Sequence, residues 1–369
     1  MTIPSALRAL VRTTPTLAPI PRRALLSVRG SQASEFLSGL VASGVPPPEG
    51  HYYTAFLHAQ GRVMYDAFVH AHTTSDGKPG YLLEFDAHAS EAQPLLAMLK
   101  RYVLRSKVKL SDVSDEFDVW GVWGSEAEKR WEGERRWAGA RSGVVEPVWN
   151  VEGEEQKEWH WGVRGSALRD RRAVGMGERV VVRKGDKPAQ TATHDTAGAT
   201  DYVLHRILHG VPEGVNDIVP MRSFPMDSNM DIMGALDFRK GCYVGQELTV
   251  RTYHTGLIRK RIFPVHILPA TPSSSSALPT SLPTDIDIRL VQNAPTEGSA
   301  KVRPRGTGKL LSNIGGAGLA LLRLEQVAAV EQGTAQLEMY VESGDGSVNS
   351  WVVRPWRPEW WPDLSMKEE

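Results

Sequence analysis

The stretch Arg239-Lys-Gly-Cys-Tyr-Val-Gly-Gln-Glu-Leu248 decides the reading of this chain, because it sets the chain's only cysteine between two glycines and beside two cations. Gly241 and Gly245 permit close backbone approach or dihedrals that other residues avoid. Lys240 and Arg239 bring positive charge near Cys242, and that setting favours a thiolate. If Gly245-Gln246-Glu247-Leu248 opens a helix, Cys242 lies just before its N-terminus, where unpaired N–H groups favour negative charge on sulfur. The competing reading is a buried, inert cysteine whose neighbours, Tyr243 among them, build a tight turn.

Outward from this stretch lie Arg206-Ile-Leu-His-Gly-Val-Pro-Glu213, Phe224-Pro-Met-Asp-Ser-Asn229, Arg251-Thr252 and Arg259-Lys-Arg261. Upstream, Ala24 to Val28 reads as a strand. Ser31 caps a helix through Leu40, and two strands (52–57 and 62–71) meet at the glycine turn His58-Ala-Gln-Gly61. A strand at 81–86 and a helix from Leu95 to Leu104 follow, an α+β pattern of strands with covering helices. A second group of strands begins near Phe117, interrupted by surface loops near 152–160 and 184–200. The expected organisation is a body over 23–262 made of two subdomains, a low-complexity linker or loop over 263–284, and a small β-barrel over 285–364.

At 369 residues, with 41% apolar and 23% charged residues, the chain has the balance of a globular protein of two or three packed units. Lys plus Arg equals Asp plus Glu at 43 each, so no bulk field recruits nucleic acid. No run approaches the roughly 20 apolar residues that a membrane span needs. One cysteine excludes an internal disulfide and fits a reducing compartment. Residues 1–22 hold arginines and no acidic residue, which suits a mitochondrial presequence or a disordered tail. His205 and His209 have the spacing of two metal ligands on one helix face, but no third ligand is near in sequence, and a polar helix end explains them better. The glycine clusters Gly306-Thr-Gly-Lys309 and Gly315-Gly-Ala-Gly318 complete neither phosphate motif and read as barrel turns.

The block Lys-Gly-Cys-Tyr-Val-Gly-Gln-Glu, with its flanking segments, resembles the hallmark of the YgfZ family of folate-fold iron–sulfur cluster assembly factors. The resemblance extends more loosely over 24–110 and returns at Gly318-Leu-Ala-Leu-Leu-Arg323. It implies an α+β, aminomethyltransferase (T-protein)-like folate-binding body with a C-terminal barrel, located in the mitochondrial matrix. It also implies a non-enzymatic role with A-type carrier proteins in maturing [4Fe–4S] proteins. Lys240, Gly241, Cys242, Tyr243, Gly245, Gln246 and Glu247 then form the cluster or partner contact. One thiol cannot hold a cluster, so Cys242 would contribute a single ligand to a [2Fe–2S] cluster shared with the carrier.

The fold shared with the aminomethyltransferases implies a tetrahydrofolate pocket with Asp66, Asp227, Asn229 and Arg251 as candidates. Three departures bear on it. Tyr65 replaces one of a paired acidic couple, leaving Asp66 as a residual site residue or a surface strand residue. The pterin-facing glutamate becomes Asp227, one methylene shorter, or a turn cap. Cys242 and Tyr243 stand where the aminomethyltransferases carry Asp and Phe. A tetrahydrofolate-dependent aminomethyl or one-carbon transferase is the alternative function. The basic residues Arg251, Arg259, Lys260 and Arg261 would meet a folate tail or an acidic partner, or form a solvated face.

Overall fold

The computed structural model describes residues 3–46, 50–74, 76–126, 128, 135–149, 159–270, 280–292, 307–342 and 348–363. The chain divides into two compact units, one built from Arg12–Val203 and Glu213–Ile258, the other from Leu204–Pro212 and Arg259–Trp361 with the N-terminal residues to Val11.

In chain order the first unit contains β1 (Thr16–Pro19), β2 (Arg23–Arg29), α1 (Ala33–Ser38), β3 (Tyr52–Leu57), β4 (Val63–Thr73), β5 (Pro79–Asp86), α2 (Leu95–Val103), β6 (Lys109–Asp112) and β7 (Phe117–Trp123). It continues with β8 (Arg136–Gly139), β9 (Val145–Val148), β10 (Leu168–Arg169), β11 (Glu178–Arg183), β12 (Asp195–Thr196), the start of α3 (Ala199–Leu208) and α4 (Gln246–Thr255). One sheet runs β3-β4-β5-β2-β6 and a second β10-β11-β7-β1-β12, while β8 and β9 form a separate hairpin. Leu26, Val28, Phe36, Leu37, Phe56, Val69, Leu83 and Leu99 form the core where α1 and α2 cover the first sheet. The turn at Gly61 is as predicted, with φ at +76°.

Of the predicted leader 1–22, the described residues 3–22 are not a free tail. Leu7 is buried, and all of β1 is half-buried or deeper, paired antiparallel with β7 and parallel with β12. The apolar pattern of Thr16-Leu-Ala-Pro19 is too short to announce a strand, and the surrounding arginines point composition towards a leader instead.

The second unit is the barrel, with β13 (Lys260–Pro269), β14 (Asp287–Gln292), β15 (Gly308–Ile314), β16 (Ala317–Arg323), α5 (Leu324–Glu331), β17 (Ala335–Glu342) and β18 (Val348–Pro355). Its strands close in the order β13-β16-β15-β14-β17-β18. The barrel therefore begins near 260, not 285, because β13 pairs with both β16 and β18 and completes the closure. The predicted linker accordingly starts inside a strand, and its low-complexity stretch at 271–279 lies outside the described residues, as do 150–158 of the first predicted loop. Gly315 and Gly316, at φ +56° and +83°, make the β15–β16 turn, as their clustering implied. Trp351, Trp356 and Trp361 are buried and close the barrel. Arg261, expected on a solvated face, is fully buried. His209 Nδ1 lies 2.8 Å from the His205 carbonyl, a helix-end contact. Among the described residues no group of three His, Cys, Asp or Glu is arranged to hold a metal, and no helix is long and apolar enough to cross a membrane.

Candidate functional site

Helix α4 begins where Gly245 adopts φ +82°, and a Cβ there would stand 2.4 Å from the His58 carbonyl oxygen. Opposite it, a Cβ on Gly61 would meet the Leu248 Cβ at 2.6 Å, so the β3–β4 turn and the first turn of α4 interlock through two glycines. Gln246 closes the loop by accepting the Tyr243 N–H at 3.3 Å, and the Val244 N–H donates to the Gly39 carbonyl at 3.3 Å. Glu247 is exposed in the first helical turn, where its charge complements the helix dipole. Tyr243 is buried, which pushes its hydroxyl up to about 12. Cys242 itself is exposed, which removes the buried-thiol reading.

The two cations expected to charge the thiol's surroundings are engaged elsewhere. The Lys240 ammonium donates to three carbonyls, Ser38 at 2.8 Å, Val41 at 2.7 Å and Ser43 at 3.0 Å, using all three of its protons. Burial pulls it down to about 8, against the pull of Asp237 in the other direction. Arg239 forks onto Glu146 at 3.1 and 3.3 Å. Gly241 is exposed and lies outside the left-handed region, and a methyl group placed on it would have nothing within 4 Å, so no close approach explains it. Sequence proximity suggested an electrostatic role for Lys240, and the structure gives it an anchoring one.

The four folate candidates have different surroundings. Asp66 is buried on β4, not on a surface strand, and accepts the Gly214 N–H at 3.2 and 3.3 Å. Burial chiefly, with help from Glu213 and Asp86, lifts its carboxyl to about 6 against Arg23 and Arg172. Asp227 is half-buried, and Asn229 is fully buried at φ +62°, a backbone that asparagine tolerates. Arg251 is exposed on α4.

Sequence reasoning missed a buried ion network in this unit. Glu84 receives Arg23 Nε at 2.8 Å, His70 Nε2 at 2.8 Å and the Arg179 guanidinium. Arg179 also reaches Glu213 at 3.0 Å and the Tyr202 hydroxyl at 2.6 Å, while Arg172 pairs with Asp170 at 2.6 Å and Glu213 at 2.8 Å. Burial opposes ionisation of Glu84, but Arg179 and Arg23 outweigh it and hold the carboxyl well below its ordinary range. The available signal is Glu84 itself, a charge in the middle of the apolar run Tyr81-Leu-Leu-Glu-Phe85.

A cavity of about 630 Å³ adjoins the loop through Arg239. Trp149, Trp159 and Trp161 line it, with Glu146 and Asp237 among its polar groups. Trp149 stacks on His160 at 4.4 Å between ring centroids. Ser43, Tyr52 and Tyr53 also line it, and their buried hydroxyls have no partner among the described residues. Asp66, Asp227, Asn229 and Arg251 are not among its described lining residues.

The fold defines a class, the aminomethyltransferase-like bodies that end in a six-stranded barrel, and this chain carries an exposed thiol on the loop before α4. The crystal structure of the glycine cleavage system aminomethyltransferase T from Bartonella henselae superposes with a TM-score of 0.57 at 15% identity, covering 94% of this chain and 86% of that one, a likeness of fold. Residues 259–363 match the family described as CAF17, C-terminal beta-barrel domain. The protein from Cryptococcus neoformans named iron-sulfur cluster assembly factor IBA57 homolog, mitochondrial, is 38% identical over 84% of each chain. Its namesake from Mycosarcoma maydis is 33% identical over 94% of this chain and 85% of the relative. The chain belongs to this family of mitochondrial iron–sulfur cluster assembly factors.

Proposed function

We propose that the chain acts in the mitochondrial matrix as a docking factor for iron–sulfur cluster maturation, not as a turnover enzyme, and that its partners are A-type carrier proteins. Cys242 would supply one thiolate ligand, held or transient, to a [2Fe–2S] cluster whose other ligands come from the carrier, because such clusters take four ligands and this chain has one thiol. The observation that carries this reading is an exposed Cys242 on a loop pinned by Lys240 and Gly245. A pinned loop limits the ordering cost of presenting a ligand to a partner.

The test is anaerobic mixing with a [2Fe–2S]-loaded A-type carrier, comparing native protein and Cys242→Ala by size exclusion and visible absorbance. Co-elution of colour with native protein alone supports the shared ligand. Equal behaviour of both proteins removes Cys242 from the contact, and the lack of any complex sinks the partnership.

A folate-type ligand is the second reading, favoured by the aromatic cavity and its three hydroxyls without a partner among the described residues. Its volume lies within the range of small-molecule sites. Trp159 and Trp161 would flank a flat heterocycle, and Glu146 or Asp237 would accept N–H groups from its edge. Bound tetrahydrofolate would bring one-carbon chemistry, but Asp66, the acid nearest in sequence to the enzymes' paired carboxylates, is enclosed beside the ion network. Titration with tetrahydrofolate, followed by tryptophan fluorescence in native protein and Trp161→Ala, decides whether the cavity binds it.

A further inference from the structure

We infer that a second cavity in the first unit, about 440 Å³ in volume, is a binding site for a small multivalent oxyanion carrying phosphate or several carboxylates. His51, His70, His72, Arg164 and Arg179 line it, and no Asp or Glu is among its described lining residues. That composition is unusual in a chain whose acids and bases are equal in number.

The nitrogen-rich lining, with its charge on the two arginines, arises from the strand geometry. His70 and His72 are two apart on β4 and so share one face of the sheet. His51 is fixed as a neutral donor, since its Nδ1 accepts the Ala71 N–H at 2.9 Å while Nε2 faces the Ser166 carbonyl at 3.2 Å. The carboxylate behind this wall, Glu84, receives His70 and is already neutralised by Arg23 and Arg179. The Arg183 guanidinium, paired with Glu116 at 3.1 Å, lies 4.6 Å from the ring centroid of Phe117, another lining residue, and acts on His72 from the edge of the cavity.

The electrostatics agree with the geometry. Burial first, then Arg183, His70 and Arg164, hold the His72 imidazole below its ordinary range, and each charged neighbour acting on it is a cation or a histidine. An entering oxyanion would meet this field with hydrogen-bond donors from Arg164 and His72, since His51 and His70 are engaged with Ser166, Ala71 and Glu84. Cys242 is not among the cavity's described lining residues, so the assignment is tested apart from the assembly role.

The full-length chain is titrated at constant ionic strength with sodium pyrophosphate and, separately, with citrate, using calorimetry and the imidazole NMR signals of His72. Saturable binding of either ion with a His72 shift is expected, weakened about tenfold in Arg164→Ala and His72→Ala and less in Arg164→Lys. Lys109→Ala, which removes an exposed cation on β6, should bind as the native protein does. Binding of pyrophosphate alone assigns the site to phosphate compounds, and binding of citrate alone to polycarboxylates. Failure of both ions to saturate by about 10 mM overturns the assignment, as does binding by folded Arg164→Ala and His72→Ala proteins as tight as that of the native chain.

Discussion

The ammonium of Lys240 lies 2.7 Å from the carbonyl oxygen of Val41 and also donates to Ser38 and Ser43, so the residue two positions before Cys242 is tied to the turn that follows α1. Lys240→Met keeps much of the buried stem but leaves three carbonyls without that donor. A loss of about 2–4 kcal/mol in unfolding free energy is expected, measured by urea titration, together with faster amide exchange over 38–45 and 240–246. Lys240→Arg should not restore it, because a planar guanidinium cannot direct donors as a tetrahedral ammonium does. An unchanged midpoint for Lys240→Met would remove the anchoring role.

The two glycines flanking Cys242 should respond very differently to the same change. Gly245→Ala forces a side chain into a left-handed backbone and against the His58 carbonyl, where the clearance is 2.4 Å. The cost should be about 3 kcal/mol or more, since left-handed strain adds to a clash with backbone. Gly241→Ala has open space around it and ordinary dihedrals, so it should stay within about 0.5 kcal/mol of the native protein. Thermal melts of the two variants side by side check this, and similar losses in both would contradict it.

The sequence carries the local structure of this loop and little of its wiring. The helix after Gly245 is legible because glycine followed by Gln-Glu-Leu has a backbone and dipole logic that acts over neighbouring residues. The role of Lys240 is not legible because its partners are about two hundred positions away, at Ser38, Val41 and Ser43, and no local rule couples such residues. The same limit hides the ion network, whose members come from β2, β5, β11 and the segments around 170 and 213. Arg23 in particular reads as part of a leader boundary, although its guanidinium is buried against Glu84. The barrel's start is misplaced in sequence because β13 runs directly into a low-complexity stretch, and composition there outweighs the apolar run of Ile262 to Leu268.

Arg179→Met tests whether the buried network holds the first unit together. The arginine bridges Glu84 and Glu213 and lies 3.9 Å above the Phe68 ring, so its removal leaves two buried carboxylates short of a cation. Breaking a buried pair by deleting one partner costs about 3–5 kcal/mol. Restoring charge neutrality in Arg179→Met/Glu84→Gln should recover part of that loss. A double variant no more stable than the single one would show that packing of the guanidinium, not charge, is what the site requires.

Asp66 gives the network a pH dependence whose sign can be worked out. Its carboxyl moves from 3.8 to about 6 in the fold, chiefly through burial, so the folded chain holds this proton more tightly than the unfolded one. The resulting stabilisation is present in full below about pH 4 and is lost as pH rises through about 6. Asp66→Asn cannot ionise and still offers an oxygen to the Gly214 N–H, so it escapes that loss. The variant should therefore gain about 1–3 kcal/mol relative to the native protein at pH 8, a difference that shrinks towards zero near pH 4. Urea unfolding of both proteins across this range measures it. A gap that stays constant with pH would mean that Asp66 does not titrate in the fold, and that its negative charge is fully matched by Arg23 and Arg172.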